Sequence, residues 1–169
     1  MEIYKDYEDY SVLRRKHNGI KYAFFLDGIF SNWYPCSIVV DSIKYNCIEQ
    51  YMMYSKALTF GDKENAEKIL KEYSPRIQKK IGREINNFNE VIWDSCKYNI
   101  VKKGLIEKFK QNSELREYLL SYKGFSIIEA SPVDRIWGIG YSSNDAISNI
   151  NNWGENLLGK ILTELSNEM

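Results

Sequence analysis

The sequence contains a single histidine, His17, and three cysteines, Cys36, Cys47 and Cys96. A lone histidine cannot build a His-based metal site or pair with a serine nucleophile as a general base. The odd cysteine count and its spacings match no metal or redox motif, so the thiols read as reduced cysteines of a cytoplasmic protein. Neither charge sign is in excess: 23 Lys+Arg face 23 Asp+Glu, for a formal net charge of zero. This balance excludes the broad basic footprint of a protein that tracks long nucleic acid or an anionic membrane. A local basic pocket for a small phosphorylated ligand needs only a few residues and stays open. No stretch is long and apolar enough to cross a membrane. The N-terminal run MEIYKDYEDYSVLRRKHNG is charged throughout, unlike a signal peptide. Walker loops, GxGxxG, HExxH and nucleophile elbows are all missing.

What remains is a chain of 169 residues, 44% hydrophobic, with 13 Tyr and 4 Trp. That length suits one domain with a single good core. Residues 1–20 are polar and read as an N-terminal extension, leaving residues 21–169 as the domain. Lys21 to Gly28 has strand-like residues and ends in a turn signal. The stretch SIVVDSIKYN reads as a hairpin turning at Asp41-Ser42. Helical spacing then dominates. One helix runs from Glu49 to about Phe60, and another from Asp62, a plausible N-cap, to about Tyr73. A third starts at Ser74-Pro75 and stops at Gly82. A long one covers Asn89 to about Lys110, weakened at Gly104, and a further one follows Ser113. GFSIIEAS is a short strand, SPVDRIWGIGYSSND an irregular segment, and the last helix spans about Glu155 to Leu165. The expected fold is mainly α (α+β), a compact single-domain helical bundle with a small β element. The alternation of a doubly wound sheet is missing.

The run CIEQYMMYSKALTF carries the first chemical clue. Glu49 and Lys56 are seven residues apart, nearly on one helix face and about 10 Å apart along the axis. That is too far for a helical ion pair, which wants three or four residues. It lets both long side chains lean toward one small ligand. Each residue also has a plainer use: Glu49 as a first-turn acid and Lys56 as a snorkelling lysine. In ASPVDRIWGIG, Asp134 precedes Trp137 and Gly138, where a glycine admits close backbone approach and an indole forms a wall. Asn32 and Trp33 sit in the loop IFSNWYP. Arg83 ends the third helix, placed to fork onto phosphate or to make a surface ion pair. WGENLLGK offers Trp153, Gly154 and Asn156 at a helix entry whose backbone N–H groups could meet an anion.

Taken in order, FSNWYP, IEQYMMYSKA, IGREI, KFKQNSELREYLL, SPVDRIWGIG and WGENLLGKIL resemble the NADAR, or YbiA-like, family from about Phe24 to the C-terminus. The resemblance implies a compact, largely helical N-glycosidase that acts on phosphorylated or ADP-ribosyl N-ribosides. Two substrate classes go with it: ribosylamino-pyrimidine phosphates of riboflavin synthesis, and ADP-ribose attached to a nucleic-acid base. The family's active-site glutamate falls on Glu49, its helix lysine on Lys56, and the Asp and Trp of its D-x-x-W-G motif on Asp134 and Trp137. Some members carry a small residue and a histidine around the glutamate; here the run is Ile48-Glu49-Gln50, a change expected to bear on selectivity.

The expected catalytic set is therefore Glu49, Lys56 and Asp134, with Asn32, Trp33, Arg83, Trp137, Gly138, Trp153 and Asn156 binding substrate. No metal, cofactor, membrane or obligate protein partner is expected. Cleavage of an N-riboside builds positive charge at C1′ and needs a proton for the leaving nitrogen. Glu49 would serve as acid/base and Asp134 would orient water or ribose hydroxyls. Lys56 would either fix a hydroxyl or, if its amine is neutral, attack C1′ to form a Schiff base. The alternative is a non-catalytic module that binds ADP-ribose or a related nucleotide through the same contacts.

Overall fold

A computed structural model of the chain describes residues 11–169. Its elements are, in order, β1 (Val12–His17), β2 (Ile20–Phe25), β3 (Ile38–Val40), β4 (Ile43–Tyr45), α1 (Ile48–Thr59), α2 (Lys63–Lys71), α3 (Pro75–Arg83), α4 (Glu90–Gln111), α5 (Ser113–Leu120), β5 (Ser126–Glu129), a short 3₁₀ segment (Ile147–Asn152) and α6 (Leu157–Glu168). The mainly helical, α+β expectation holds.

One boundary differs. Residues 12–17 belong to the sheet, although the first 20 residues were expected to form a polar extension; residues 1–10 lie outside the described residues. β1 pairs antiparallel with β2, from Val12 opposite Phe25 to His17 opposite Ile20. The turn between them is Asn18-Gly19, both at positive φ (48° and 82°). Asn-Gly favours this two-residue hairpin because both positions need left-handed backbone. As an edge strand β1 leaves one hydrogen-bonding edge open to water, and its residues 14–16 are exposed, so Arg14, Arg15 and Lys16 are tolerated there.

β5 pairs parallel with β2, giving the order β1-β2-β5. Alternation splits the sheet's residues between two cores. Ala23, Phe25 and Ile127 join the main core with the helices, whereas Tyr22, Phe24, Ile128 and Ala130 pack with Ile139, Ala146 and Trp153 on the opposite face. β3 and β4 form the expected hairpin, with Asp41 and Ser42 at φ 50° and 66°.

α1 runs through the middle of the helical layer against α2, α3 and α4. Cys47 caps it, its sulfur accepting from the Gln50 N–H. Asp62 caps α2 as expected, accepting from Asn65 N–H, and its other oxygen accepts from the Asn86 N–H, which ties down the α3–α4 loop. Two glycines behave differently from expectation. α3 does not stop at Gly82 but continues to Arg83. Gly104 does not interrupt α4: a Cβ there would lie 2.5 Å from Tyr51 Cδ1, so its bare backbone lets α1 and α4 approach closely.

Candidate active site

The mixed face of α1 packs on α3. Met53 of α1 rests against Gly82, where a Cβ would collide with the Met53 sulfur. This close approach brings the lysine of α1 to the end of α3, where Lys56 Nζ donates to the Gly82 carbonyl at 2.7 Å. The amine also lies over the Phe88 ring, 4.4 Å from its centroid. Burial pushes the Lys56 pKa down, opposed by Glu49 and reinforced by Arg83. Gly82→Ala is expected to cost about 1–3 kcal/mol by overpacking, offset by up to about 1 kcal/mol of helix propensity. A thermal melt checks this, and the displaced Gly82 carbonyl should lower activity in parallel.

Glu49 starts α1 and is only 3% exposed. Its backbone N–H donates to the Asn32 carbonyl at 2.9 Å, which joins the SNW loop to the helix. That loop is fixed from below by Lys108 of α4, fully buried, whose Nζ donates to the carbonyls of Ile29 and Ser31 at 2.6 and 3.3 Å. Burial pushes the Lys108 pKa down to about 8. The Glu49 carboxyl is pushed up to about 7, chiefly by burial and further by Asp134. Lys79, the Trp33 side chain and Arg83 pull it down. Glu49 is thus the common neighbour of groups from the SNW loop, α1, α3 and the loop after β5.

Asp134 is held by its own turn: Oδ1 accepts from the N–H groups of Ile136 and Trp137, each at 2.9 Å. The turn packs flush on the end of β5, because a Cβ at Gly138 would lie 2.8 Å from the Glu129 carbonyl oxygen. Gly138 therefore acts through packing. The Trp137 ring leans on the main core.

Among the described residues, three buried side-chain oxygens have no hydrogen-bond partner: Asn32 Oδ1, Glu49 Oε1 and Glu129 Oε2. Buried acceptors are normally satisfied, so orphans gathered in one region invite donors from a ligand. Glu129 was not expected from sequence. Burial pushes its carboxyl up to about 8, helped by Asp134 and Glu49 and opposed by Lys79. Lys79 and Phe88 were missed too. The available signal for Glu129 was a carboxylate closing the apolar strand SIIE; Lys79 and Phe88 look like ordinary surface residues until α3 packs on α1.

Two expected binding residues do not join this cluster. Trp153 lies on the far face of the sheet, its ring edge-on to Tyr22 and Phe24 at 5.8 and 5.9 Å, and its indole N–H donates to the Ala146 carbonyl at 2.8 Å. Asn156, at φ 52°, spends its amide on the β5 backbone: Oδ1 accepts from Glu129 N–H at 2.9 Å and Nδ2 donates to the Ile127 carbonyl at 3.2 Å. Nor do the N–H groups around Gly154 face an anion. Those of Gly154, Glu155, Asn156, Leu157 and Leu158 donate to the carbonyls of Ile139, Arg135, Gly138, Ile136 and Trp137. The motif pair WGENLL and DRIWGI thus forms a backbone ladder. Gln50, expected to bear on selectivity, points away from the cluster, its amide donating to the carbonyls of Ile69, Leu70 and Glu72.

Fold and cluster together define a small α+β domain with the buried Glu49 carboxyl beside the half-buried Lys56 and Lys79, between α1, α3 and the end of β5. The chain belongs to the NADAR domain family, which matches residues 24–169. It is 41% identical over 164 residues to N-glycosidase R617 of Acanthamoeba polyphaga mimivirus, covering 88% of this chain and 96% of that one. It is 30% identical over 142 residues to N-glycosidase YbiA of Escherichia coli, covering 84% and 81%. The NMR structure of the E. coli protein YbiA superposes with a TM-score of 0.69 at 29% identity, over 85% of this chain and 81% of that chain. A riboflavin biosynthesis protein of Vibrio vulnificus is 28% identical over 142 residues, which cover 84% of this chain and 35% of that protein. No helix among the described residues is long and apolar enough to cross a membrane.

Proposed function

We propose that the chain is an N-glycosidase that hydrolyses the N-glycosidic bond of a phosphorylated or ADP-ribosyl riboside. The observation that carries this reading is Glu49: 3% exposed, with Oε1 unpartnered, and beside Lys79, Arg83, Asp134 and Lys56. A carboxyl that exists only for stability would be paired or solvated. One poised at about 7 is suited to take and return protons at neutral pH. The names of the mimiviral and E. coli relatives support the same reaction class, and the Vibrio relative's name supports a riboflavin-pathway substrate.

In this mechanism Glu49 withdraws a proton from the Lys56 ammonium. The amine then attacks C1′ of the ribose as the C1′–N bond to the base breaks. The C1′–O4′ bond opens with a proton passing from the lysine nitrogen to O4′, and the Schiff base so formed is hydrolysed by water. Lowering of the Lys56 pKa by burial supports the nucleophilic role. The Gly82 carbonyl aims the nitrogen in either protonation state. The free oxygen of Asp134 orients a ribose hydroxyl or the water. Orphan acceptors suit the hydroxyl donors of a ribose, whereas Arg83 and Lys79 supply charge for the phosphate. Phe88 and Trp33, both partly exposed, offer faces for the leaving base.

The test is release of free base from a phosphorylated ribosylamino-pyrimidine and from an ADP-ribosylated base, followed chromatographically beside calorimetry with ADP-ribose. Base release from either substrate is the expected result. Tight ADP-ribose binding with no release from either substrate would instead identify a nucleotide-binding module.

A further inference from the structure

We propose that Glu129 is a second catalytic carboxyl, the acid that protonates the departing nitrogen as the N-glycosidic bond breaks; this rests on the N-glycosidase reading of the site. Its backbone is locked on both sides. The N–H donates to Asn156 Oδ1 at 2.9 Å, and the carbonyl accepts from Ile139 N–H at 3.0 Å. The next residue, Ala130, donates to the Phe25 carbonyl at 2.7 Å, anchoring the strand end in the sheet. Gly138 presses on the same carbonyl so closely that no side chain fits between. Such a frame aims a side chain with little freedom to relax, as a proton donor requires. Asn156 and Gly138, whose contacts are with the Glu129 backbone, thereby position its side chain.

The carboxyl so aimed has Oε2 shut off from water without a partner. Asp134, Lys79 and Glu49 are the charged groups that act on it. Their balance separates the two glutamates. The Glu49 anion has Lys79, Trp33 and Arg83 in its favour, whereas the Glu129 anion has Lys79 alone and faces two other carboxylates. Neighbouring carboxyls that cannot both ionise freely divide the labour, one holding the proton and the other the charge. Glu129, pushed up to about 8, is the holder.

The step balances as follows. The C1′–N bond breaks with its electron pair going to nitrogen, and the Glu129 hydroxyl proton passes to that nitrogen. The Lys56 lone pair, freed when Glu49 takes the ammonium proton, forms the new bond at C1′. The C1′–O4′ bond then opens, its electron pair and a proton from the lysine nitrogen going to O4′, which leaves the Schiff base. Water adds at C1′ with one of its protons restoring the Glu129 acid. As the C1′–N bond to lysine breaks, the Glu49 proton and the remaining water proton return to the departing Lys56 amine.

The experiment compares the full-length protein with its Glu129→Gln variant on two leaving groups. A ribosylamino-pyrimidine phosphate needs a proton to depart. A ribosyl-pyridinium phosphate such as nicotinamide mononucleotide does not, because its ring nitrogen leaves as a neutral amine. Expected for E129Q is a loss of about 10²-fold or more in kcat on the first substrate, disappearance of the alkaline limb of its kcat/KM profile, and only a few-fold loss on the second. Wild-type rates on the first substrate, equal losses on both, or a surviving alkaline limb each overturn the proposal. Where the wild type leaves the pyridinium intact, the alkaline limb alone decides. Failure of the wild type to release base from any ribosylamino or ADP-ribosyl substrate removes the N-glycosidase reading itself, an outcome distinct from the loss of Glu129's role.

Discussion

Replacing Glu49 with glutamine is expected to slow base release about 10³-fold while leaving a folded protein that is more stable at alkaline pH. Both halves follow from one fact. The carboxyl is buried and its pKa is raised from 4.5 to about 7, mainly by desolvation. Between these two values the folded state binds more protons than the unfolded state, so this group's contribution to stability falls as pH rises. Above about pH 7 the folded protein carries a buried charge that glutamine lacks. Removing it should relieve a penalty on the order of a few kcal/mol. Melts at pH 5 and pH 8 measure the effect: the gain of E49Q over wild type should be larger at pH 8. Full activity in E49Q would remove Glu49 from the acid/base role. A melting gain independent of pH would show that the Glu49 pKa is not raised in the folded protein.

The second large effect concerns Lys56. Borohydride added during turnover should trap a covalent adduct on this residue, seen as a mass shift on the peptide that contains it. Lys56→Arg should give no adduct and lose about 10³-fold or more in kcat, since a guanidinium stays protonated and cannot attack C1′. The wild-type rate should fall as pH is lowered, because protonation removes the amine's lone pair. Burial shifts that limb below the range of an ordinary lysine, although Glu49 opposes the shift. An active K56R without an adduct would restore the simpler role, an ammonium that fixes a ribose hydroxyl.

The β1–β2 hairpin shows how much of the chain was legible and how a sign was passed over. Asn18-Gly19 is a strong local hairpin signal, yet the basic run before it suggested a loose extension. An edge strand needs few apolar residues, so composition alone gave the wrong answer there. The helices were easier, because caps such as Asp62 and Asn89 act within a few residues of themselves. The glycines were not. Gly82 looked like a helix stop and is a contact surface for Met53, a partner 29 positions away in the chain.

The site divides the same way. Glu49 and Lys56 were visible because helical spacing is fixed by the backbone, and Asp134 because it caps its own turn. Glu129 was hidden because a carboxylate at a strand end means little until a neighbour forbids it water. The two Trp-Gly motifs looked alike in sequence, but the sheet put Trp137 against the main core and Trp153 on the opposite face. Both tryptophans lie in irregular segments, so the face each takes is decided only by how its segment packs on the sheet.

By itself, then, the sequence determined the run of helices, the Asp62 cap, the hairpin turn at Asp41-Ser42 and the shared face of Glu49 and Lys56, all of which depend on interactions a few residues long. Only the tertiary structure decided that Glu129 and Lys79 join that face, that Asn156 and the N–H groups around Gly154 bond to backbone instead of ligand, and that Glu49 is poised at about 7. The reason is desolvation: a carboxyl's proton affinity is set by the water and charges around it, and these come from α1, α3, β5 and the loops that the fold alone brings together.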